Sequence, residues 1–292
     1  MSHNPALGGR AVAPDLTGKG SKDSKPELPR LSELGEDLLT VSRNRRGFVL
    51  ARPLLMIVLY GTLAALGWWI PALAILAAVF PVMVAVIHDL LHRSLGLSGK
   101  ANQRWLTVMG VLVLQSGHAI QATHLEHHRC FPNREDPEAY VALMPLGRAL
   151  FEGPIYPYRL WSWARKRRRD LRRRVGVEAA SHAVLGLSSV ALLPVTPVAF
   201  WYAAAMFVGC SLFPAISVNL LHHIEGDTPL TSTRTVRGVV LPLITLGSGY
   251  HLEHHLYPKV PSPNYHRLAR RLAPTLNGHG VVGYRIAAVR RR

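Results

Sequence analysis

Apolar residues in this chain are gathered into long blocks, and the blocks come in pairs. Residues 49–70 are apolar almost without interruption for 22 positions. As a helix this is about 33 Å long, matching a hydrocarbon core of about 30 Å. Trp68, Trp69 and Pro71 then predict an aromatic turn at an interface, after which 72–87 returns as a run of 16 residues. A second pair follows: 179–193, short and carrying His182, and 198–221, a run of 24, joined through Pro194 and Pro197. The pattern predicts four transmembrane helices in two hairpins. Two further apolar stretches, 106–114 and 239–246, are too short to span and are expected to be re-entrant, interfacial or packed against protein. Residues 1–47 are expected to form a flexible basic cytosolic tail, polar and rich in Gly, Pro, Ser and Lys, without the apolar core of a signal peptide. Residues 48–292 form the membrane domain.

Charge placement gives the pairs an orientation. The chain of 292 residues is 49% hydrophobic and 17% charged, and its 34 Lys and Arg outnumber 17 Asp and Glu for a formal charge of +17. Its mean hydropathy is nevertheless positive, +0.15, so apolar and basic residues must be segregated. The turns at 68–71 and 194–197 hold no charge, whereas Arg43, Arg45, Arg46, the run 165–169 (RKRRR), Arg172, Arg173, Arg174 and Arg267, Arg270, Arg271 fall on the other flanks. By the positive-inside rule both termini and the long loops are cytoplasmic. The run at 165–174 lies between membrane hairpins behind Trp161 and Trp163, so anionic lipid headgroups explain it more simply than nucleic acid, which is not an expected partner. Two cysteines, Cys130 and Cys210, exclude a disulfide framework and leave no set for an iron–sulfur cluster or a structural zinc.

Histidine spacing is the strongest chemical signal. His88 and His92 form H-x-x-x-H directly after the second apolar run; His124, His127 and His128 form HLEHH; His251, His254 and His255 repeat it letter for letter; and Asn219 and His223 stand four apart where the last run ends. Positions i, i+3 and i+4 share a helix face, so two or three imidazoles per group can converge on one cation. Nine histidines in four groups exceed one four-coordinate zinc and suit two metals with four or five nitrogens each. Every group falls on the predicted cytosolic side. There is no H-E-x-x-H of an intramembrane zinc protease, and no Glu-x-x-His pair of the soluble di-iron bundles.

The set HDLLH, HLEHH, HLEHH and NLLHH, with HHRCFPNREDPE after the second box and HLEHHLYPKVPSPNY around the third, resembles the integral-membrane fatty acid desaturase superfamily, which includes carotenoid hydroxylases and ketolases. The resemblance covers roughly 49–272. It implies an all-α membrane protein whose cytosolic helical cap holds two iron ions over four membrane helices. The implied ligands are His88, His92, His124, His127, His128, His223, His251, His254 and His255, with Asn219 acting through a water. It implies O2 as co-substrate and fatty acyl desaturation as the leading activity. Hydroxylation or ketolation of a carotenoid or another lipid is the rival within the same chemistry, favoured by the three-residue spacing of the first box and the compact length. A membrane metal transporter is the rival of a different class; it needs polar residues along the spans, which are nearly free of them.

No haem domain, cluster-binding cysteine set or G-x-G-x-x-G occurs, so electrons must come from an external ferredoxin- or cytochrome-type donor, which the basic face would steer. Trp105, Tyr140, Trp161, Trp163 and Trp201 read as an interfacial aromatic belt ahead of a channel lining. Ligating imidazoles usually donate their free N–H to a partner. Asp89, Glu126, Glu253 and Asp136 are the expected acceptors, with His118 and His222 as further supporting residues. Glu138 reads as a solvated loop carboxylate, and His3, His266 and His279 receive no role.

Overall fold

The computed structural model describes residues 28–131, 133, 135–222, 229–237, 249–278 and 284–285. Among them the fold is all-α, apart from a two-residue parallel pairing of Val236–Arg237 with Tyr284–Arg285. The predicted first hairpin is present as α1, Arg43–Ala65, packed along α2, Trp69–Leu91. Its turn comes earlier than 68–71. Gly67, at φ 78°, takes the left-handed conformation that a side chain resists. Pro71 instead enters the first turn of α2, where its missing N–H would have had no helical partner anyway. At its far end α2 runs past the expected stop at 87, so His88 and Asp89 ride on its last turn and His92 closes it.

Two cap helices follow, α3, Gly99–Leu112, and α4, Gly117–Cys130. The apolar stretch 106–114 is thereby packed against protein: Leu106, Met109 and Val113 are buried in one core with Val79 and Met83 of α2. Then come α5, Leu146–Glu152, α6, Tyr156–Arg167, α7, Arg172–Ala191, and α8, Val198–Phe213, which Pro214–Asn219 continues as a π-helical turn. The last helices are α9, His251–Leu256, and α10, Tyr265–Gly278. The stretch 239–246 lies outside the described residues.

Among the described residues, three segments are long and apolar enough to cross a membrane: Glu36–Ala65, Trp69–Leu91 and Val198–Asn219. The expected span 179–193 does fall in a helix, α7, but that helix opens on Arg172, Arg173 and Arg174 and carries Glu178, and it does not join the three. The spans turn apolar side chains outward: Leu55, Val58, Ile70, Phe207 and Val208 are all more than half exposed. In water such continuous apolar surface would mark an interaction face; here it matches lipid.

Of the flexible tail expected over 1–47, residues 31–34, 36–39 and 43–47 are helical, whereas 1–27 lie outside the described residues. Leu31, Leu34 and Leu38 recur at helical spacing and pack on Leu252 and on the α10 stripe Leu268, Leu272 and Leu276. Asp37 pairs with Arg267 and Arg271, and Asn264 donates to the carbonyls of Leu38 and Thr40 at 2.9 and 3.0 Å. Exposed ion pairs of this kind contribute about 1 kcal/mol or less, whereas full burial of one leucine contributes about 2 kcal/mol. The leucines therefore hold this segment. Replacing Leu38 by Ala should destabilise the protein by about 2–5 kcal/mol, and Asp37→Ala by far less. Thermal unfolding in detergent micelles measures both, and an equal loss from the two would remove the burial argument.

Candidate metal centre

Four elements bring the histidines together. Helix α2 contributes His88 and its C-cap His92; α4 carries His124, His127 and His128; α9 carries His251, His254 and His255; His222 follows the π-helical turn. Helix α4 starts where Ser116 Oγ accepts the Ala119 amide (3.1 Å), and it crosses α3 closely. A Cβ on Gly110 would stand 2.6 Å from the Gly117 amide nitrogen, so only glycine fits at this crossing. Asp89 locks the end of α2 to the segment behind α9, accepting from the Ser262 amide (2.8 Å), the Ser262 hydroxyl (2.6 Å) and the Ser94 hydroxyl (3.1 Å).

Every ring nitrogen that meets another does so through Nε2. In one group the Nε2 separations are 3.0 Å for His88–His254, 2.8 Å for His254–His128, 3.2 Å for His128–His124 and 3.0 Å for His124–His92. In the other they are 3.3 Å for His127–His255, 3.2 Å for His222–His255, 2.8 Å for His251–His222 and 3.1 Å for His255–His251. Nitrogens each about 2.1 Å from one ion and about 90° apart would be separated by about 3.0 Å. These are the spacings of neighbouring ligands around a metal. The groups are themselves adjacent, with the His128 and His255 rings 4.6 Å apart.

The opposite ring nitrogens settle which way the lone pairs point. His124 Nδ1 meets Glu138 Oε2 at 3.0 Å, His127 Nδ1 meets Asp136 Oδ2 at 2.5 Å, and His222 Nδ1 meets the Val218 carbonyl at 2.9 Å. Carboxylates and carbonyls accept, so these Nδ1 atoms carry the proton and their Nε2 lone pairs face inward. His254 Nδ1 is 2.8 Å from the Tyr265 hydroxyl. Burial, then the neighbouring imidazoles, push His92, His128, His251, His254 and His255 far below the ordinary imidazole pKa, and burial lowers His222 to about 3. The rings are thus neutral, the ligating form. Inward lone pairs about 3 Å apart repel one another unless a cation sits between them. His88, His92, His124, His128 and His254 fit one ion; His127, His222 and His255 fit a second, with His251 on their edge.

Several expected residues stand elsewhere. His223 lies outside the described residues, and His222, expected only as support, presents its Nε2 to the second group. Asn219 donates to the carbonyls of Val141 and Met144 (2.8 and 2.7 Å), anchoring the loop that carries the acidic residues. Glu126 faces outward and pairs with Arg129, while Glu253 is buried and accepts from Thr235 at 2.5 Å. His118 joins Glu178 of α7 (2.5 Å) and Gln103 of α3 (2.6 Å), so its polar partners tie helices together. Glu138 is a correction: its side chain is buried against Thr123 and His124 because the loop after α4 folds back over that helix. The acidic D-P-E pattern eight to ten residues behind the second box was the available signal. Tyr265 had none beyond its place in PSPNY.

The chain's residues 66–285 match the fatty acid desaturase family model. The chain belongs to the fatty acid desaturase family. It is similar to the human sphingolipid delta(4)-desaturase/C4-monooxygenase DES2, 25% identical over 223 residues, a match covering 68% of this chain and 63% of the human protein. This desaturase-family chain thus carries oxidoreductase-type ancestry together with a nitrogen-rich site able to hold metal.

Two expectations follow from the site. Glu138→Gln should weaken metal binding about 10- to 100-fold by loosening His124, as loss of such partners commonly does. Metal titration of the purified protein measures this, and unchanged affinity would refute the orienting role. Stripping the metal should lower the unfolding midpoint, because bound metal stabilises the folded state by RT ln(1 + [L]/Kd); a thermal scan with and without chelator reads it.

Proposed function

We propose that this chain is a membrane lipid desaturase that uses two iron ions and O2 to convert a CH2–CH2 unit of an acyl chain into an alkene. The observation that carries the reading is the double cluster of inward-facing Nε2 atoms, all nitrogen among the described residues, beside an apolar chamber. That chamber is lined by Ile87, His88, Val113, Ile120, His124 and Phe213. Imidazole suits iron among the first-row metals, and family membership makes oxidative lipid chemistry the natural use of such a site. Iron held by these histidines supplies the reduction of O2 that makes an unactivated C–H bond reactive. In balance, the substrate loses two hydrogen atoms and O2 takes up these with two further electrons and two protons, leaving two waters. His88, His92, His124, His128 and His254 would hold one ion and His127, His222, His251 and His255 the other; the ninth-ligand role expected for His223 passes to His222 in this reading. Asp136 and Glu138 hold protons on Nδ1 of His127 and His124, so those rings keep a fixed tautomer through turnover. The apolar wall positions the chain and excludes water from the reacting carbon.

The architecture supported by these features is a pair of hairpins, with α7 as the fourth crossing beside α8. Helix α7 is inverted like a lipid-facing helix: Val177, Val184, Leu187 and Val190 are exposed, whereas Glu178 and Ser189 are buried. The arginines at the start of α1, after α6 and at the start of α7 support a cytoplasmic metal end by the positive-inside rule. An external donor of ferredoxin or cytochrome type would approach that face. Transport is the weaker reading, since α2 buries Ala72, Leu76, Val79, Val82 and Met83 through its membrane half and offers no polar path.

A second reading, hydroxylation at the same site, has one specific observation behind it: the human relative is named for both a desaturase and a monooxygenase reaction. The test is expression with a compatible reductase, followed by lipid extraction and mass spectrometry. The expected product is two mass units lighter than its substrate by loss of two hydrogens, is absent under anoxia and is absent in His127→Ala. A product one oxygen heavier would select the second reading, and turnover by His127→Ala would overturn the metal assignment.

A further inference from the structure

A second cavity lies outside the metal chamber, between α2 and α8. It has a volume of about 470 Å³ and apolar walls. Val208, Leu212 and Ile216 form its rim and are exposed on the surface that the span pattern assigns to lipid. The chamber beside His88 and His124 is narrow, about 70 Å³. The two spaces share three lining residues, Phe80, Val84 and Phe213. On α2 the shared and flanking positions Ala77, Phe80, Val84 and His88 recur at three- and four-residue steps, one continuous face running from the outer groove to a metal-binding ring.

Phe80 stands where the groove narrows into the chamber. Its ring lies directly on α8 at Gly209: a Cβ added there would be 2.4 Å from Phe80 Cγ and 2.5 Å from Cδ2. The ring therefore occupies room that any other residue at 209 would deny it. The notch seats the ring between the two cavities, in whose walls it takes part on both sides.

We propose that the groove between α2 and α8 is the side entrance through which an acyl chain passes from the bilayer, and that Phe80, seated against Gly209, is the residue that selects which chains reach the metal chamber. The inference rests on the lipid-oxidising reading of the same site, and names the substrate as an unbranched hydrocarbon chain entering sideways rather than from water. Widening the ring to indole at 80 narrows the passage; removing it joins the two cavities.

The test uses the full chain in phosphatidylcholine vesicles and a palmitoyl probe bearing a terminal diazirine, with adducts located by peptide mass spectrometry. Photolabelling needs no turnover, so it reads entry even if the chain proves to catalyse nothing. Wild-type protein should carry adducts both on the groove rim, at Val208, Leu212 or Ile216, and in the chamber, at Val113 or Ile120. When the lamp is fired at a fixed short time after the probe is added, before the chamber has filled, Phe80→Trp should lower the chamber adducts about tenfold, equivalent to about 1.4 kcal/mol of added barrier, and leave the rim adducts unchanged. Phe80→Ala should raise the chamber adducts relative to the rim, which keeps the test decisive if the tryptophan variant fails to fold. Chamber labelling indifferent to both substitutions, or chamber labelling without rim labelling, would overturn the entrance. Absence of any lipid product with these labelling ratios intact would overturn only the catalytic reading.

Discussion

Lone-pair repulsion among the Nε2 atoms is the constraint around which this molecule is arranged. Neutral imidazoles in water would turn away from one another, yet here eight pairs of Nε2 atoms stand between 2.8 and 3.3 Å apart. Such a cluster is stable only if a cation repays the repulsion or the surrounding packing forces it. The outer shell shows how forcing is achieved. Each of His124, His127 and His222 has its Nδ1 proton fixed by an oxygen on a loop or helix turn, so the ring cannot rotate without losing a buried hydrogen bond.

That requirement explains features remote from the rings. Helix α9 has only six residues and no N-terminal side-chain cap, too short to be stable alone. It is held because Leu252 sinks into the cluster of Leu34, Leu38 and Leu268, and because Asp89 grips Ser262 behind it. The N-terminal segment is therefore a strap over the third histidine box, and its leucines serve the metal site through packing. The π-helical turn after α8 does comparable work. Wider than an α-helix, it lets the chain rotate so that Asn219 faces the loop carbonyls of Val141 and Met144, while His222 arrives at the second group.

Much of this was legible in the sequence because two periodicities carried it. The H-x-x-H-H spacing put three rings on one face of α4 and of α9, and the long apolar runs located the first hairpin and α8. What escaped was set by tertiary contact. Nothing local marks His222 as the residue that faces the second group, because the π-helical turn before it shifts the register that a regular helix would give. Glu138 looked like a loop carboxylate because its partner, Thr123 with His124, lies on a helix that the loop folds back across. Residues 28–47 looked like tail because their five leucines are interspersed with charged residues, and only the facing stripe of α10 gives three of them a surface to pack on. The expected span 179–193 falls within α7, whose arginines and glutamate set it apart from the three apolar segments.

The location of the metal-binding groups follows from incompatible solvents. Imidazoles, their carboxylate partners and a supply of protons need a polar protein cap, whereas a hydrocarbon chain is soluble only in the bilayer. Helix α2 spans both: its outer half meets lipid, its inner face borders the groove and chamber, and its last turn carries His88. Phe80 and His88 are eight residues apart, about 12 Å along one rigid rod. Under the proposed reading, the depth at which a chain would meet the metal is inherited from a single helix. A one-residue insertion between them would shift that depth by about 1.5 Å and rotate Phe80 away from Gly209 by about 100°. Continuity of α2 beyond residue 87, which the apolar pattern alone did not foresee, is what ties the register of the lipid to the register of the histidines.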